Sequence, residues 1–303
     1  MTVTSTRAVD RYPTRVIGEP GLIDRTDPTV WTDQPGPVDT ATLASHDAKG
    51  YSIADGVLSK REVETYWQEL VRLTGDPGLR ADERVVIEKE SQEIRSIFEV
   101  HRISQLIAEL ITDPRILDRA CQLLGSEVYV HQSRVNFMPG FKGKGFYWHS
   151  DFETWHAEDG MPAPRAVSMS LALTDNYPFN GGLMVMPGSH RTFVPCTGQT
   201  PANHYRQSLK EQEIGVPSRE NITALAAKHG IDQFTGEAGC ALWFDANIMH
   251  GSGNNITPFP RSNIFVVFNS VENTLQEPYA APQPRPTFIA SRDFTPLART
   301  PRV

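Results

Sequence analysis

Cysteine is scarce in this chain. Three residues in 303, Cys121, Cys196 and Cys240, are widely separated and odd in number. That excludes a disulfide framework and a zinc cluster built on paired thiols. They read as buried, reduced thiols, and the expected compartment is the cytoplasm. Long apolar runs are missing too: no stretch approaches the roughly 20 residues that span a bilayer. The N-terminus lacks a charged-then-apolar signal pattern, so no membrane association is expected. Basic charge is in deficit, with 29 Lys and Arg against 36 Asp and Glu and a net charge of −7. Broad nucleic-acid binding needs a basic face, and this composition does not provide one. There is no internal repeat and no low-complexity tract. The length suits one large domain or two small ones.

Residues 1–38 carry Pro13, Pro20, Pro28, Pro35 and Pro37 among polar residues without periodicity. They are expected to form an extended arm, disordered in part. Residues 39–303 are expected to form a single domain. Its first third, about 39–125, reads as a helical flank. Ser59-Lys-Arg-Glu62 is a capping box opening a helix with Val63, Trp67, Leu70 and Val71 on one stripe. Asp113-Pro114 opens a second helix that Gly125 ends. Ile94 to Ile107, between them, reads as another helical or loop segment. From about 126 to 275 the texture changes to short β-type runs, alternating at 128–137, 166–173 and 263–271 and shorter at 183–186 and 240–244. Many short strands without interleaved helices predict a mainly β fold, a jelly roll with flanking helices. Residues 205–235 read as a helical insertion, and a Pro-rich tail follows Glu277.

Against this background stands His149-Ser150-Asp151 in Tyr147-Trp-His-Ser-Asp151. In a strand, residues i and i+2 project from one face. His149 and Asp151 can therefore address one metal ion, and His250, following the apolar run Cys240–Phe244, can supply a third ligand. Two histidines and one carboxylate with open positions typify non-haem Fe(II) oxygenases. Arg261 opens another apolar run and can grip a carboxylate with two hydrogen bonds. Each residue also has a plainer reading. His-x-Asp is common on surfaces, His250 can be a core histidine bonded to a carbonyl, and Arg261 can form an internal salt bridge. Trp155 lies four residues beyond Asp151, where its π face can hold a delocalised cation.

The stretch Tyr147-Trp-His-Ser-Asp-Phe-Glu-Thr-Trp-His-Ala-Glu-Asp-Gly-Met161 resembles the signature of bacterial ectoine hydroxylases, within the phytanoyl-CoA dioxygenase superfamily. The similarity extends through Arg95–Ser104, His131–Arg134, Met186–Arg191, His250–Gly253 and Asn255–Asn263. It implies a double-stranded β-helix (cupin-like) core and an Fe(II)- and 2-oxoglutarate-dependent dioxygenase. Such an enzyme converts ectoine and O2 to 5-hydroxyectoine, releasing succinate and CO2, as part of compatible-solute synthesis under osmotic or heat stress. By position, iron falls to His149, Asp151 and His250. Arg261 would pair with the distal carboxylate of 2-oxoglutarate, with Asn136, Phe146 and Ser168 shaping that pocket. Ectoine would contact Gln132, Trp155, Phe244 and Phe265, with Phe98 closing the cavity and Arg134 as a further polar contact. A homodimer is the family expectation. One position departs from the family pattern: Met138 stands where a lysine linked to 2-oxoglutarate binding is usual. Two other readings remain open: a related hydroxylase acting on another small molecule, and a non-catalytic iron and 2-oxoglutarate binding protein.

Overall fold

In the computed structural model, residues 9–18, 21–88, 92–209 and 213–300 are described. Their strands, in chain order, are β1 (Ile23–Asp24), β2 (Tyr51–Ala54), β3 (Val85–Ile87), β4 (Ile94–Phe98), β5 (Val128–Met138) and β6 (Phe146–His149). Then come β7 (Ala166–Ala172), β8 (Leu183–Val185), β9 (Thr192–Phe193), β10 (Asp232–Gln233), β11 (Ala241–Asp245), β12 (His250–Ser252) and β13 (Arg261–Ser270). Seven form a large antiparallel sheet in the order β2-β11-β7-β13-β5-β4-β3, and four a smaller one, β10-β8-β12-β6. Residues of both sheets share one apolar cluster: Ala172, Leu242, Phe244 and Phe265 from the large sheet meet Leu183 and Val185 from the small one. The two sheets therefore face each other as a jelly roll.

Strand parity explains how the large sheet is covered on both sides. Along β13, Ile264, Val266 and Phe268 point outward into a cluster with helical Leu70, Leu110 and Leu117. Phe265 and Val267 point the other way, and all ten residues of the strand are buried. Such a strand reads as a continuous apolar run rather than a strict alternation. The helices close the outer face. Lys60–Thr74 begins at the Ser59–Glu62 capping box, with both reciprocal bonds formed. Pro114–Leu124 is capped by Asp113 and ends at Gly125, whose φ of +60° is left-handed. A Cβ on Gly125 would also lie 2.4 Å from the Trp31 carbonyl oxygen, so glycine is required there on two counts.

Three local expectations need correction. Ile94–Phe98 is strand β4, neither helix nor loop. It pairs with β5, placing Phe98 opposite Arg134, because the edge of β5 offers backbone partners that a short β-branched run satisfies better as strand. In the first long helix the inward residues are Tyr66, Leu70 and Leu73, while Val71 is half exposed. Cys121 is only partly buried, whereas Cys196 and Cys240 are buried. Of the N-terminal arm, residues 1–8, 19 and 20 lie outside the described residues; in the rest, Tyr12, Thr14 and Arg15 are buried. Among the described residues, no helix is long and apolar enough to cross a membrane.

Candidate metal and cosubstrate site

Strands β6 and β12 pair so that His149 and His250 sit directly across from one another. Their rings lie side by side, centroids 4.2 Å apart. Asp151 joins them by a route different from the strand geometry expected. β6 stops at His149, Ser150 bridges, and Asp151 is the first residue of a short helical turn, Asp151–Thr154. His250 follows the strand that ends at Asp245 and opens β12. The two turns are stitched together. The Phe152 amide donates to the Ala246 carbonyl at 2.8 Å, and the Ser150 hydroxyl donates to Asn247 Oδ1 at 3.0 Å.

These three side chains present one donor atom each, all within 4.8 Å of one another. His149 Nδ1 lies 2.7 Å from the Tyr147 carbonyl and His250 Nδ1 lies 3.0 Å from the Ile248 carbonyl. A carbonyl only accepts, so each Nδ1 carries the proton and each Nε2 keeps its lone pair. Both Nε2 atoms face the Asp151 carboxylate, at 3.5 Å and 3.8 Å. Backbone-oriented imidazoles with free lone pairs beside a carboxylate are what a metal centre requires. Electrostatics agree. Burial by itself would raise the Asp151 carboxyl, but the nearby His250, His149 and Arg134 hold it well below the usual carboxylate range. Burial and the neighbouring His149 push His250 down to about 4, so it is a neutral ligand at ordinary pH. The donor set therefore fits Fe(II), leaving the other octahedral positions to ligands from solution.

The triad opens into a cavity of about 130 Å³. At roughly 10–15 Å³ per water centre, that is on the order of ten waters. Arg261 contributes the first residue of β13, buried to 7% exposure. Among the described residues no carboxylate pairs with it: its Nε has no partner, and Nη2 meets only the Met138 sulfur at 3.6 Å. Burial alone pushes the guanidinium down to about 10. Met138 is the cross-strand neighbour of Arg261. Its thioether is tightly enclosed, since a Cβ on Gly181 (φ +75°) would come within 2.2 Å of the sulfur.

Phe98, Gln132, Arg134, Asn136, Met138 and Phe146 line this cavity with Trp155, Arg261, Phe265 and the triad. Ser168 and Phe244 do not. Ser168 is 1% exposed with an unpartnered hydroxyl, and Phe244 packs behind the lining, its ring 5.1 Å from His250 and 6.4 Å from Phe265. Gln132 is tied down, donating to the Ile289 carbonyl at 2.8 Å and accepting from Arg134 Nη1 at 2.8 Å. Arg134 stacks over Phe265 at 5.0 Å. Sequence reasoning missed Arg285, Thr154 and Ser252 on the wall and Arg95 beside Phe146. Arg285 pairs with Asp159, which lies 3.4 Å from His131, whose ring edge meets Trp155 at 5.1 Å. Arg285 stands in the Pro-rich tail, where only folding could reveal a role.

A jelly roll holding two histidines and an aspartate at one end of a small cavity, and an unpaired buried arginine in its wall, defines the class of two-histidine, one-carboxylate oxygenases. Residues 46–263 match the family described as phytanoyl-CoA dioxygenase (PhyH). A protein of Nocardia farcinica named ectoine dioxygenase is 65% identical over 95% of this chain and 96% of its own. The structure of EctD from S. alaskensis with 2-oxoglutarate and 5-hydroxyectoine superposes with a TM-score of 0.88, at 44% identity over 97% of this chain and 99% of that one. The same enzyme with bound Fe gives 0.86 at 44% identity, over 96% and 98%. The chain belongs to the phytanoyl-CoA dioxygenase family, and within it groups with proteins named ectoine dioxygenase.

Proposed function

We propose that this chain is an Fe(II)- and 2-oxoglutarate-dependent dioxygenase that hydroxylates ectoine to 5-hydroxyectoine. The observation that carries the reading is Arg261, a buried guanidinium in the same small cavity as the triad, with no carboxylate partner among the described residues. An unpaired buried charge is costly and persists where a ligand completes it. A dicarboxylic keto acid fits, with one end at the metal and the far carboxylate on Arg261.

His149, Asp151 and His250 would hold the iron. When bound, the iron supplies oxygen activation coupled to decarboxylation of 2-oxoglutarate, giving succinate, CO2 and one oxygen atom for a C–H bond. The rest is the work of this chain's own side chains. Arg261 anchors the cosubstrate, while Asn136 and Phe146 shape its pocket and Ser168 and Met138 back it. Ectoine is a zwitterion. Its delocalised cation suits the face of Trp155, and its carboxylate suits Arg134, which Gln132 and Phe265 orient. Phe244 supports Phe265 from behind, and Phe98 closes the wall. Holding the ring so that one C–H faces the metal is a positioning effect, and it sets regioselectivity. A cytoplasmic homodimer is the assembly and location we infer.

Anaerobic loading of the full chain with Fe(II) and 2-oxoglutarate, followed by ectoine and O2, tests this reading by mass spectrometry. The expected products are hydroxyectoine and succinate in equal amounts, abolished in His149→Ala, Asp151→Ala and His250→Ala. Succinate release with another small substrate but not with ectoine would overturn the substrate assignment. Binding of metal and 2-oxoglutarate without any substrate-dependent succinate would overturn the enzyme itself.

A further inference from the structure

The segment that carries Asp151 and Trp155 also carries Glu153, Glu158 and Asp159, all buried, at 1%, 2% and 0% exposure. Buried carboxylates beside a metal site repel one another and compete for the ion unless each is paired. Their partners arrive from both ends of the chain. Arg15, in the N-terminal arm, donates from Nε to Glu153 Oε1 at 2.7 Å and from Nη2 to Oε2 at 3.0 Å, and Nη2 also reaches Glu158 Oε1 at 3.2 Å. Arg285, in the tail, forks onto Asp159 at 2.7 and 2.5 Å. Thr14 anchors the arm beside the fork, donating to Glu153 Oε1 at 2.7 Å and accepting from the Cys196 amide at 2.9 Å.

Two further features single out Arg15. Its φ is +56°, a left-handed conformation that a side chain this large seldom adopts. It is 7% exposed, while Ile17, two residues on, is 94% exposed, so the arm turns inward to deliver this one guanidinium. The segment it grips is itself irregular: the turn Asp151–Thr154 runs into a π-helix, Trp155–Asp159. Such single π turns are rare and gather at functional sites. The same arm also sends Arg25 to Asp245, at 2.6 Å, five residues before His250.

We propose that Arg15 is a positioning residue: by clamping Glu153 and Glu158 it fixes the segment from which Asp151 reaches the metal and Trp155 reaches the substrate. The metal and ectoine here rest on the function proposed above. The test is Co(II) titration of the full chain, followed by visible absorption, together with Tm and the KM and kcat for ectoine. Arg15→Met alone leaves Glu153 buried and unpaired, so the deciding variant is Arg15→Met/Glu153→Gln, which removes the clamp and the charge it chiefly holds, while Glu158 keeps the attraction of Arg285. That variant is expected to keep Tm within a few degrees. Its Co(II) Kd should rise at least fivefold, with KM for ectoine changing more than kcat, and Arg15→Lys should fall between it and the parent. A folded double variant with parental Kd and KM would overturn the proposal. So would a double variant that does not fold, since Arg15 would then serve stability alone. Were the parent inactive on ectoine, the proposed function would fall, yet the Co(II) titration would still decide the role of Arg15.

Discussion

Arg261→Met should have opposite effects on the empty and the loaded protein. In the empty protein the guanidinium is buried with no carboxylate beside it among the described residues, and burial lowers its pKa from 12.5 to about 10. At about 1.4 kcal/mol per tenfold change, the charged form is disfavoured by on the order of 3 kcal/mol. Methionine has similar length and no charge, so the variant escapes that penalty but loses contacts along the side-chain stem. The net expectation is an apoprotein stabilised by about 1–2 kcal/mol, a rise in Tm of several degrees at roughly 2–4 °C per kcal/mol. With cosubstrate the sign reverses. A buried charge-assisted pair truncated on one side costs about 2–5 kcal/mol, so KM for 2-oxoglutarate should rise on the order of 30-fold to several thousand-fold. Differential scanning fluorimetry with and without 2-oxoglutarate, beside steady-state kinetics, reads both arms. The parent should gain Tm with 2-oxoglutarate by mass action and the variant should not. A variant with lower apo Tm and a KM within threefold of the parent would refute the assignment of Arg261 as the cosubstrate anchor.

Replacing Met138 by lysine puts a second cation near Arg261, whose Nη2 lies 3.6 Å from the Met138 sulfur. Affinity for 2-oxoglutarate should rise about threefold to tenfold while apo Tm drops from like-charge repulsion, and an unchanged KM would disprove any role for this position in holding the cosubstrate. Trp155→Leu keeps an apolar wall but removes the π face, so KM for ectoine should rise about tenfold, matching a desolvated cation–π contact of roughly 1–2 kcal/mol; a KM within twofold would remove Trp155 from the substrate site. His46 is fully buried against Ser52, and burial next to Arg119 and His190 depresses it to about 3. Its folded pKa is below the unfolded value near 6.5, so the stability it supports is present above pH 6.5 and is lost as pH falls towards 3. The slope is at most about 1.4 kcal/mol per pH unit. His46→Gln should flatten the acid limb of a Tm-against-pH curve, and an identical limb would refute this.

The candidate site was legible because the metal centre and cosubstrate anchor proposed for it would impose residue types at particular positions. His149, Asp151, His250 and Arg261 are recognisable before any fold is known, and the short runs of β5, β7, β11 and β13 announce a mainly β fold, whereas the cover on both faces of the large sheet shows only in the structure. What stayed hidden depends on partners remote in sequence. Strand β4 is too short to declare itself, since its conformation is decided by the free edge of β5. Ser168 and Phe244 stand one layer behind the cavity, a distinction that motif position cannot draw. The N-terminal arm is the sharpest case. Its prolines and polar residues read as loose chain, yet Arg15 meets Glu153 across 138 residues and Arg25 meets Asp245 across 220. An arginine among prolines carries no local sign of burial. Its meaning lies in carboxylates that themselves look like ordinary surface acids in Phe-Glu-Thr-Trp-His-Ala-Glu-Asp. Both halves of such a pair are unremarkable until the fold joins them, so the charges that support a metal site are harder to read than the ligands that form it. It follows that truncating the arm should weaken metal binding even though it contributes no ligand.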